Sequence, residues 1–142
     1  MKLGIVGSEG AKFTPEKEAL ARTIITAMIE VLKPEVVVSG RCHLGGVDIF
    51  AVEQARKAGI HVIEHPPLNL QWSTGYKPRN ILIAKGSDHV ACITLKELPP
   101  HYRGMRFKLC YHCGTTDHVK SGGCWTVKYA KSIGKTGEVV II

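Results

Sequence analysis

Short apolar, β-branched segments alternate with segments of helical periodicity along this chain, and no other feature restricts the possible folds as much. The strand-like segments are Lys2–Val6 (KLGIV), Glu35–Val38 (EVVV), Ile60–Glu64 (IHVIE), His89–Leu95 (HVACITL) and Glu138–Ile142 (EVVII). Each is apolar on both sides of its pleat, as in a parallel strand covered on both faces. Between the first two, Thr14-Pro15 makes a helix start: a Thr cap, Pro at the first helical position, and Glu16 and Glu18 in the first turn. Leu20, Ile24, Ala27, Met28, Val31 and Leu32 recur at helical spacing and predict one buried face, and Pro34 ends the helix.

A second helix is predicted over Val47–Ala58, with Val47, Ala51, Ala55 and Ala58 on one stripe and Gly59 as its cap. A third opens at Lys77-Pro78-Arg79-Asn80 and runs to Lys85. A fourth covers Cys124–Ile133 and ends at Gly134. Strand–helix alternation of this kind implies parallel pairing through right-handed crossovers. The expected fold is a single Rossmann-like, three-layer α/β domain with a mostly parallel sheet of about five strands and helices on both faces. The segment 96–118, with Pro99-Pro100, breaks the rhythm and reads as an insert, with Phe107–Tyr111 as a candidate extra strand.

A length of 142 residues fits one domain with a core of its own, and 44% hydrophobic against 22% charged residues is a globular balance. The apolar run in MKLGIVGSEG is too short for a secretory signal, and no stretch reaches the ~18 apolar residues of a membrane helix. The expectation is a cytoplasmic protein without a membrane partner. A formal charge of +7 suits anionic ligands, but the basic residues are dispersed and form no nucleic-acid tail.

In an open parallel sheet, ligands bind beyond the C-terminal strand ends. Three glycine-rich turns are predicted there: Gly7-Ser8-Glu9-Gly10, the loop Ser39–Gly46 with Gly40, Gly45 and Gly46, and Ser121-Gly122-Gly123. Glycine lets backbone N–H groups approach an anion, and helix N-termini add a favourable dipole. Ser8, Ser39, Ser121 and Thr126 offer hydroxyls to a phosphate. Arg79 is the side chain suited to bidentate phosphate binding, against the alternative of a solvated helix-start residue. Asp48 has two readings, a ribose contact or a helix cap. Trp72 and Trp125 are candidates for stacking on a base or for core packing. Neither G-x-G-x-x-G nor G-x-x-x-x-G-K-[ST] occurs, which disfavours a conventional dinucleotide dehydrogenase or P-loop nucleotidase.

The segments GIVGS (4–8), VVVSGRCHLGGVDIFAVEQARKAG (36–59), KPRN (77–80) and SGGCWTVKYAKSIG (121–134) together resemble the SLOG superfamily, which includes the Lonely Guy proteins and the DNA-processing protein A domain. The likeness covers most of the chain. It is strongest to the YspA-like small proteins, with Gly46-Val47-Asp48 matching a Gly-x-Asp step and Arg79-Asn80 an Arg-Asn pair opening the third helix. It implies a Rossmann-like fold, binding of a nucleotide or nucleotide-derived ligand, and self-association as a dimer. The Lonely Guy enzymes carry P-G-G-x-G-T-x-x-E with a catalytic Glu. Here the Pro position holds Ser121, the third Gly position Trp125 and the Glu position Tyr129, while Gly122, Gly123 and Thr126 match. A phosphoribohydrolase needs a carboxylate at the reacting centre. Asp48, and after it Glu9, are the weak catalytic candidates in its place.

Cys110-x2-Cys113-x4-His118-x5-Cys124 has nearly the spacing of a zinc knuckle, with His112 as an alternative ligand. A zinc ion there would pin the insert and the glycine turn against the sheet. The alternatives are buried structural cysteines, or a reactive thiol at Cys124 on a helix N-terminus. Three functions follow: a nucleotide-binding domain acting as a sensor; a nucleotide or nucleotide-sugar hydrolase; and a zinc-containing nucleic-acid binder.

Overall fold

The computed structural model describes residues 1–142. Five strands form one sheet: β1 (Lys2–Gly7), β2 (Val36–Ser39), β3 (His61–Glu64), β4 (His89–Thr94) and β5 (Thr136–Ile141). The order is β3-β2-β1-β4-β5, and every pairing is parallel. The chain moves outwards from β1 to β3, returns across the sheet to β4, and so leaves a switch point at the C-terminal ends of β1 and β4. Four helices make the crossovers: α1 (Pro15–Leu32), α2 (Val47–Lys57), α3 (Lys77–Lys85) and α4 (Gly122–Ser132).

The pleat sorts the apolar strand residues into two cores. Leu3, Ile5, Val37 and Ile93 face α1 and α2, with Ala21, Ile25, Phe50 and Ala51. Val6, Val38, Val90 and Cys92 face α3 and α4, with Ile83, Ala84, Val127 and Ala130. One strand thus feeds both layers, which is why these segments are apolar throughout. The single three-layer α/β domain expected from the alternation is the fold observed. No helix is long and apolar enough to cross a membrane.

Four local expectations are corrected. The buried stripe of α1 is Ala21, Ile25 and Ile29, with Ile24 and Met28 of the expected face packed partly buried at its edge, while Val31 is 78% exposed and Leu20, Ala27 and Leu32 also face out. Apolar residues occupy more than half of this helix's circumference, so periodicity did not mark which line meets Phe13 and the sheet. Ala58 is likewise exposed, beyond the end of α2. Phe107–Tyr111 is not a strand; only Cys110 makes an isolated antiparallel bridge, to Thr115. That segment folds back on itself at Gly114 and reaches no sheet edge. Finally, a wide helical turn, Trp72–Tyr76, precedes α3, so helical structure begins ahead of the start expected at Lys77.

Candidate functional site

A cleft of about 360 Å³ opens at the switch point. Its floor is Gly7–Glu9 after β1 and Ser121–Gly123 at the start of α4. Cys42, Leu44, Gly45 and Asp48 form one side, with Arg79 and Asn80 from α3. Trp72 and Tyr76 stand on one flank. Tyr102, Met105 and Phe107, all from the insert, stand on the other.

Much of the polar inventory holds the cleft together. The Ser39 hydroxyl donates to the Asp48 carbonyl at 2.8 Å and fastens the end of β2 to α2. Arg79 is buried. Its Nη1 donates to the Gly40 carbonyl and lies 3.3 Å from Asp48 Oδ2, and its Nε donates to Asn80 Oδ1 at 2.8 Å. Asp48 also accepts the Cys42 N–H at 3.2 Å. It is therefore neither the α2 cap, a place taken by Gly46, nor a free carboxylate. Burial raises Asp48 to about pH 6, against the lowering pull of Arg79 and the Cys42 N–H. Ser8 is committed twice: its N–H donates to the Ile93 carbonyl, and its hydroxyl lies 3.1 Å from Thr94 Oγ1, which itself donates to the Val119 carbonyl.

The groups that remain unpartnered belong to residues lining the cleft. Arg79 Nη2 and Asn80 Nδ2 have no protein acceptor, and neither is fully shut from the cleft. At the start of α4 the Ser121 side chain caps the Gly123 N–H at 3.2 Å, and the Cys124 N–H turns back to the Ser121 carbonyl. The Gly122 N–H, first in the helix, has no acceptor of its own. Thr126 is fully buried one turn along, with its hydroxyl 3.4 Å from the Gly122 carbonyl.

The glycines divide the same way. A Cβ at Gly7 would collide with the Ile93 carbonyl, one at Gly40 with the Arg79 guanidinium, and one at Gly46 with the Ser8 carbonyl. These three are demanded by packing. Gly46 also has φ 87°, where a side chain is strained. Gly122 has ordinary helical φ, and a Cβ there meets nothing within 4 Å.

A second constellation lies behind the α4 end of the cleft. One ligand atom from each of Cys110, Cys113, His118 and Cys124 lies within 4.8 Å of the others. His112 is not in this group; its ring packs on Tyr111 at 4.5 Å between centroids. Burial raises Cys110, but the N–H groups of Cys113, Ser121 and His112 outweigh it and bring the thiol down to about 7. Burial and the Cys124 and Cys110 sulfurs push Cys113 up to about 12. Cys124 is raised as well, first by its contact with Cys92.

No protein-family model matches the chain, and no curated protein matches it in sequence. Among solved structures, the molybdenum cofactor carrier protein of Chlamydomonas reinhardtii superposes with a TM-score of 0.58 at 16% identity, over 99% of this chain and 74% of that one. The fold is Rossmann-like α/β. At that identity the likeness is one of architecture.

All three glycine turns predicted from the sequence meet around the one cleft. Two residues there carried no sequence signal beyond being basic: Lys12, in the 3-10 turn Gly10–Lys12, and Lys120, which precedes the Ser121 turn. Neither has a salt-bridge partner; Lys12 Nζ reaches only the Lys120 carbonyl, at 3.5 Å. Burial, reinforced by Lys120 and opposed by Glu9, pulls Lys12 below the ordinary lysine value. Aromatic faces of the insert hold both ammonium groups, Tyr102 under Lys12 at 5.9 Å and Phe107 under Lys120 at 5.4 Å. Their distance in sequence, 108 residues, hid the pairing.

Proposed function

We propose that the cleft binds a small nucleotide-type ligand, a phosphate group joined to a planar ring, in the manner of the SLOG proteins that the sequence resembles. The observation that carries this reading is Gly122. Packing and backbone explain the other cleft glycines, yet Gly122 is free of both demands, lines the cleft, and has an N–H, the first of α4, with no protein acceptor. A helix N-terminus with an unblocked N–H attracts an anion. Lys12 and Lys120, neither in a salt bridge, and the unpartnered Nη2 of Arg79 supply positive charge, and Trp72, Tyr76 and Phe107 offer faces for a planar ring. A structural neighbour described as a carrier of the molybdenum cofactor is in keeping with a binding role for this architecture.

Binding is favoured over hydrolysis on one ground. Asp48, the buried carboxylate of the cleft, is held by Arg79 and the Cys42 N–H, and the position of the Lonely Guy Glu holds Tyr129, stacked on Trp125 at 5.3 Å.

Thermal unfolding in a panel of nucleoside mono- and diphosphates, with inorganic phosphate as reference, tests the reading. A bound nucleotide at a hundred times its Kd adds about 2.7 kcal/mol of stability. No shift with any nucleotide overturns the proposal. Release of base or phosphate during incubation replaces it with the hydrolase reading. Steeply salt-dependent binding of polynucleotide, without mononucleotide binding, replaces it with the nucleic-acid reading.

A further inference from the structure

We infer that Cys110, Cys113, His118 and Cys124 form a closed structural zinc site, and that the ion holds the insert against α4 so that the anion-binding turn keeps its shape. This goes beyond the ligand reading of the cleft and stands on separate geometry.

The donor set is three thiols and one imidazole, a combination that selects a tetrahedral zinc with no open coordination position. Sulfurs about 2.3 Å from a central ion lie roughly 3.8 Å apart. The observed spread, within 4.8 Å, needs the set to close by about 1 Å at most. Cys124 Sγ and His118 Nε2 are already 3.5 Å apart.

The surroundings are built for ligation. Cys110 and Cys113 sit on one tight turn, in which the N–H groups of Cys113 and Gly114 both return to the Cys110 carbonyl, at 3.2 and 2.8 Å. Gly114, with φ 71°, lets the chain reverse directly after the second cysteine, and Cys110 then bridges to Thr115. His118 Nδ1 lies 2.7 Å from Asp117 Oδ1, which also accepts the Thr115 hydroxyl at 2.6 Å. A carboxylate on Nδ1 fixes the tautomer that leaves the Nε2 lone pair free, and Nε2 is the atom turned to the sulfurs.

The placement states the role. Three ligands come from the insert, which has no strand of its own and carries the cleft wall Tyr102, Met105 and Phe107. The fourth, Cys124, is the third residue of α4, two residues beyond Gly122 and three beyond the cap Ser121. One ion thus joins the wall of the cleft to its floor.

Metal analysis of the purified protein tests this without any cleft ligand, so its failure leaves the nucleotide reading standing and the converse also holds. One zinc per chain is expected. Cys113→Ser, at the exposed ligand, lowers zinc affinity at least tenfold in competition with a chromophoric chelator, while Cys42→Ser leaves it unchanged. Cobalt added to chelated wild-type protein gives the intense visible bands of a tetrahedral thiolate site, a readout that survives if the variants fail to fold. Trypsin cuts the chelated protein at Arg103, Arg106 or Lys108 and spares the zinc-loaded form. Wild-type protein that neither contains zinc nor takes it up overturns the site, as does stoichiometric iron. Equal cleavage of loaded and chelated protein overturns the pinning role.

Discussion

A methyl group added at Gly7, Gly40 or Gly46 meets the protein at once, whereas at Gly122 it meets nothing within 4 Å. The Gly122→Ala protein should therefore fold as well as wild type, with a gain of up to about 0.5–1 kcal/mol in helix propensity. Ligand stabilisation should fall with it, because the methyl stands over the exposed N–H. Thermal unfolding with and without ligand separates the two effects, and unchanged ligand stabilisation would remove Gly122 from the site. Asp48 gives a pH test. Its folded value, about 6, lies above the ordinary carboxylate range, so the folded chain holds this proton more tightly than the unfolded one. Stability from this group is fully present at acid pH and is lost as pH rises from the carboxylate range through about 6. Urea midpoints of wild type and Asp48→Asn should converge towards acid pH after the constant cost of the substitution is removed, and a parallel pair of pH profiles would contradict the assignment.

Elements are joined by side chains at their ends. β2, α2 and α3 meet through Ser39, Asp48 and Arg79; β1 and β4 meet the end of the insert through the line Ser8–Thr94–Val119. Replacing Arg79 by Met leaves Asp48 buried without its cation, and by analogy with broken buried pairs should cost about 3–5 kcal/mol in urea unfolding. A loss below 1 kcal/mol would show the network to be dispensable. The end of α1 offers the opposite effect. Lys33 caps this helix with φ 47°, ψ 54°, a left-handed conformation that glycine adopts without strain. Lys33→Gly should stabilise the protein by about 0.5–1 kcal/mol, read from the same urea curves. The helix starts were legible because caps and Pro act locally: Thr14 does accept the Lys17 N–H at 3.2 Å. The face that α1 buries was not, since that choice belongs to the sheet it lies on.

Across the whole molecule, the only two tryptophans report on the cleft. Trp72 lines it and packs edge-on against Trp125 at 5.2 Å, which in turn stacks on Tyr129. Ligand binding should change the intrinsic fluorescence, and Trp72→Phe should abolish most of that change while leaving ligand-induced thermal stabilisation measurable; an emission spectrum indifferent to ligand would place the planar ring elsewhere. The sequence by itself determined the number and order of strands and helices, the two-sided burial of the sheet and the turns at its C-terminal edge. Those follow from periodicity, capping and turn chemistry, which act over a few residues. Cys110, Cys113 and Cys124, with a histidine near them, also announced themselves by spacing. Only the tertiary structure decided that Ser8, Ser39 and Asp48 are committed to the frame, that His118 rather than His112 joins the cysteines, and that Lys12 and Lys120 share a cleft. It also singled out Gly122 among glycines that look alike in one dimension. Such choices depend on which unpaired donor and which open volume remain after every other group has found its partner, and that is known only once distant segments have been brought together.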